Sequence, residues 1–134
     1  MGAWDTGPFE NDDALDWAGD LAESDDMSVI ESALDAVIEC EEDLIEAPDC
    51  CNALAAAEVV AALRGKACAS IPKEVAAWVK GKPKPSDGLI QKARDAVAEI
   101  GTDQSELLEL WKDAEPEDLQ KWLKVIEDLK KRLA

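Results

Sequence analysis

Apolar positions along the chain recur at intervals of three and four, the period of a helix, and nothing shows the alternation of a half-buried strand. Asn11 is a good N-cap, and Asp12 and Asp13 suit the first turn of a helix. That helix presents Ala14, Leu15, Trp17, Ala18 and Leu21 on one face and ends near Ala22. Asp26 or Ser28 can cap a second helix with Val29, Ile30, Ala33, Leu34, Val37 and Ile38 inward. Leu44 and Ile45 are expected at its end, and Pro48 is expected to close it. Asp49 is then the expected cap of a third helix running to Leu63, whose sequence CCNALAAAEVVAAL is apolar almost all round. Such a helix belongs in the middle of a domain. Gly65 stops it in the C-cap role.

The second half continues in the same way. A short helix covers 72 to 80, with Pro72 in first position and Val75, Trp78 and Val79 inward. GKPKPS is a loop. Ser86 or Asp87 caps a fifth helix that carries Leu89, Ile90, Ala93, Val97 and Ile100 and stops at Gly101. Thr102 or Ser105 caps a sixth with Leu107, Leu108, Leu110 and Trp111. Pro116 opens a seventh with Leu119, Trp122, Leu123, Ile126, Leu129 and Leu133. The expected fold is all-α: a compact single-domain bundle of about six to seven helices over residues 1–134. A docked non-helical N-terminal arm covers 1–9, acidic and apolar helices fill 10–80, and the last three helices fill 86–134.

Charge changes this picture more than composition does. The 134-residue chain has a formal net charge of −17, and its distribution is lopsided. Residues 1 to 63 hold 18 acidic residues and no Lys or Arg, so all 14 basic residues fall at or after Arg64. Nucleic acid and anionic membranes both require a basic patch and are disfavoured as partners, whereas a basic protein partner is favoured. No stretch approaches the roughly 20 apolar residues of a membrane span. The opening residues lack the basic and apolar regions of a secretory signal. MGAWDT fits the short myristoylation pattern, but no basic patch lies beside it to supply a second membrane signal.

The chain has no His, which removes imidazole ligands and the Ser-His and Cys-His nucleophile pairs. Its four Cys, at 40, 50, 51 and 68, form no C-x-x-C pair. A cytoplasmic location with free thiols is expected, and no cofactor. Cys50 and Cys51 begin a helix, where thiol pKa values can fall. Glu39 and Glu42 form the E-x-x-E half of the magnesium site of all-helical nucleotide pyrophosphohydrolases, but no E-x-x-D follows on the third helix, where Glu58 stands alone. A magnesium-dependent phosphohydrolase using Glu39, Glu42 and Glu58 is the alternative to a non-enzymatic binding role.

The opening MGAWDTGPFENDDALDW resembles the start of the bacterial domain-of-unknown-function family 4259, which has the form MGAWG-x-G-x-F-x-N-D-x-A-x-D-W. The likeness continues in LIEAPDCCNALAAAEVVAALRG at residues 44–65 and in SELLELW at residues 105–111. Asp5 stands where the pattern has Gly, which argues against any role there for a bare backbone or a positive φ. The resemblance implies a small helical bacterial protein and no particular activity. Read physically, the motif docks the arm: Trp4 and Phe9 fill grooves, and Asn11 caps the helix carrying Asp12, Asp16 and Trp17. Glu58, a lone carboxylate among apolar residues, needs a partner, and the Trp4 indole N–H, a backbone N–H or Arg64 could supply one. Alternatively Asp12, Asp16 and Glu58 line a small pocket beneath the arm. The best expectation is an acidic interaction module for a basic protein, of inhibitor or immunity type.

Overall fold

A computed structural model describes residues 7, 9, 11–41, 43–68 and 71–134. Among them run seven helices: α1 (Asp12–Ala22), α2 (Ser28–Ile38), α3 (Ala47–Leu63), α4 (Lys73–Lys80), α5 (Asp87–Ile100), α6 (Glu106–Lys112) and α7 (Pro116–Leu133). Sequence-local chemistry sets several ends. Asn11 Oδ1 accepts the Ala14 N–H at 2.8 Å, Ser86 Oγ the Leu89 N–H at 3.1 Å and Ser105 Oγ the Leu108 N–H at 3.1 Å. Gly65, at φ +83°, closes α3 in a Schellman turn. Its N–H reaches Ala62 O and that of Lys66 reaches Ala61 O, each at 2.9 Å.

α3 is the axis. Every described residue from Cys50 to Leu63 is buried except Asn52, which is half-buried, and α3 packs against each of the other six helices. The run of Ala at 53, 55, 56, 57, 61 and 62 has no bulky face to turn outward, so neighbouring helices approach on every side. Phe9 joins this core at 3% exposure. Trp4 lies outside the described residues.

Three expectations fail around residues 39–49. α2 ends at Ile38, and Leu44 and Ile45 are not in it. Acidic residues crowd the chain directly after Ile38, and negative charge at a helix C-terminus opposes its dipole. Ile45 instead makes an isolated parallel bridge with Ser105. Its N–H donates to Gln104 O at 2.7 Å, and its carbonyl accepts from Glu106 N–H at 2.9 Å. Pro48 sits in the first turn of α3, where its missing N–H costs nothing, rather than closing the preceding helix. Asp49 therefore lies inside α3. The cap comes from 59 residues away, as Glu106 Oε1 accepts the Ala47 N–H at 2.8 Å.

Candidate functional site

Acidic residues of the first half lie exposed along α1, the turn after it and α2. Asp12, Asp13, Asp16 and Asp20 on α1, Glu23, Asp25 and Asp26 in the α1–α2 turn, and Glu31 on α2 all face solvent. Two basic residues from the second half reach toward them. Lys92 pairs with Asp35 at 3.0 Å. Lys82 lies over the Trp78 ring, 4.9 Å from its centroid, and donates to Asp25 O at 3.0 Å. Among the described acidic residues before Arg64, only Asp35 and Glu58 form ion pairs. Asp26 is held below the usual carboxylate range, chiefly by the Ser28 hydroxyl and then by the Ser28 N–H that it caps.

Between α1, α2 and the first turns of α3 lies a groove of about 390 Å³. Trp17, Val29, Ala33 and Ala36 give it apolar walls, Asp20 and Asp49 bring carboxylates, and Ser28, Ser32 and Asn52 bring neutral polar groups. Among the described residues, no basic one lines it. Asn52 Oδ1 is sealed from water and has no hydrogen-bond partner among the described residues. Orphaned buried acceptors are uncommon in folded proteins and call for an explanation.

Glu58 lies on the opposite side of the molecule's logic: it is fully buried and fully engaged. The guanidinium of Arg132, near the end of α7, grips its carboxylate in a two-pronged pair at 2.5 and 3.0 Å. Arg132 also reaches Asp128 at 2.8 Å and Lys66 O at 3.2 Å. Burial pushes the Glu58 carboxyl up, against the downward pull of Arg132 and a contact with Cys68. The Glu58 carboxylate in turn holds the Arg132 guanidinium up. Arg64, the cation expected to meet Glu58, instead donates to the carbonyls of Arg132 at 2.9 Å and Ala134 at 3.2 Å. It therefore caps α7 and steadies the partner that does meet Glu58.

The other sequence candidates are dispersed. Asn11 and Trp17 are buried at 7% each, as a cap and a core residue that also walls the groove. Asp12 and Asp16 are exposed on α1, whereas Glu58 faces α7. Glu39 is exposed at the end of α2, and Glu42 lies outside the described residues. Among the described residues, no three His, Cys, Asp or Glu side chains gather as a metal site. The two adjacent thiols do not behave as the start of a helix suggested. Burial lifts Cys50 above its ordinary value, and Cys51 is pushed up to about 12, first by burial and then by Asp13. No helix among the described residues is long and apolar enough to cross a membrane.

Three residues central to this geometry were missed in the sequence. Arg132 is one of three bases in the last turn of α7, and nothing local singles it out. Glu106 gave no sign that it caps a distant helix. Asn52 passed as a neutral member of an apolar run. Among the described residues, six helices of a single all-α domain surround one apolar helix, with exposed carboxylates on α1 and α2 and a buried ion pair between α3 and α7. Within that class the chain belongs to the family described as Domain of unknown function (DUF4259), whose model matches residues 2–125. No curated protein and no solved structure matches the chain.

Proposed function

We propose that this chain is a non-enzymatic bacterial interaction module of the cytoplasm, whose acidic α1–α2 face binds a basic protein. The observation that supports this reading is the row of exposed carboxylates on α1, the α1–α2 turn and Glu31 that form no ion pair among the described residues. Keeping so many like charges on one surface costs stability through mutual repulsion. A basic partner relieves that cost and gains long-range steering. The four cysteines, none joined in a disulfide, fit a reducing compartment. The family's description names no activity and does not favour an enzyme over a binding role.

Affinity capture from a bacterial lysate, using the immobilised full chain at low and at high salt, tests the reading. A basic protein is expected, retained at low salt, released at high salt, and lost with the Asp12→Asn, Asp13→Asn, Asp16→Asn variant. Recovery of nothing specific, or of a partner indifferent to salt and to the variant, overturns it.

A further inference from the structure

We draw no further inference here: the strongest candidate, the half-buried Cys68 thiol against the buried Glu58–Arg132 pair where α3 and α7 meet, is a lone cysteine with no second group among the described residues that points to a ligand, and the carboxylate it touches belongs to the ion pair already described.

Discussion

Replacing Arg132 by Met should be the most damaging single change outside the apolar core. The substitution keeps a long apolar stem but leaves the Glu58 carboxylate fully buried without its cation. Removing one partner of a buried pair costs about 3–5 kcal/mol, far more than the ~0–1 kcal/mol of an exposed pair. Glu58 is at the costly end because it is 0% exposed, while Arg132 is 15% exposed and pinned from three further directions by Asp128, Lys66 O and the Arg64 contact to its carbonyl. Against a total stability of about 5–15 kcal/mol for a domain of this size, the loss is large. Urea unfolding followed by circular dichroism measures it.

The pH dependence supplies a second, independent signature. Burial already raises the Glu58 carboxyl above its ordinary value, and Arg132 pulls it back. A carboxyl raised on folding binds its proton more readily folded than unfolded, so its contribution to stability diminishes as pH rises above the ordinary carboxylate value. Without Arg132 the native carboxyl rises further and that window widens. The penalty of the variant relative to wild type should therefore be greatest at neutral pH and shrink on mild acidification, where a neutral carboxyl sits in the cavity at lower cost. The double variant Glu58→Leu, Arg132→Met should recover much of the loss, because a well-packed apolar pair substitutes for a buried ionic one. A neutral-pH penalty below about 1 kcal/mol, or one that grows on acidification, refutes the reasoning.

Other expectations are simpler. Asn11→Ala removes a buried cap on α1 and should cost about 1 kcal/mol, read as a drop in Tm of roughly 3–5 °C; an unchanged Tm would show that the cap is dispensable. Alkylation of the native protein should label Cys40 and Cys68, which are half-buried, well before Cys50 and Cys51, which are buried and have raised pKa values. Labelling of Cys51 at the rate of Cys40 would contradict that environment. Added sodium chloride should raise Tm by screening the unpaired carboxylates of α1 and α2, and a fall in Tm would mean that attractive pairs dominate instead.

The sequence made the helices legible because their signals are local. Caps such as Asn11, Ser86 and Ser105, and the αL stop at Gly65, act within a few residues of where they stand. The central place of α3 was legible for a similar reason, since a helix without a polar face has only one place to go. Misreadings came where distant residues decide. Glu106 caps α3 across 59 positions, which frees Pro48 and Asp49 from the roles their immediate neighbours suggested. Glu58 advertised that it needed a partner, yet the choice between Arg64 and Arg132 depends on how α7 returns across α3. The groove was invisible in one dimension. Its carboxylates, Asp20 and Asp49, are 29 positions apart, and its orphaned acceptor sits in a run that reads as core.

The acidic face is tested most directly by the association rate of the captured partner with this chain as ionic strength is varied. Charge steering predicts that the on-rate falls steeply with added salt while the off-rate changes little, and that Asp12→Asn, Asp13→Asn, Asp16→Asn flattens the dependence. An on-rate that stays constant across the salt range, or a wild-type slope retained by the neutralised variant, would contradict it.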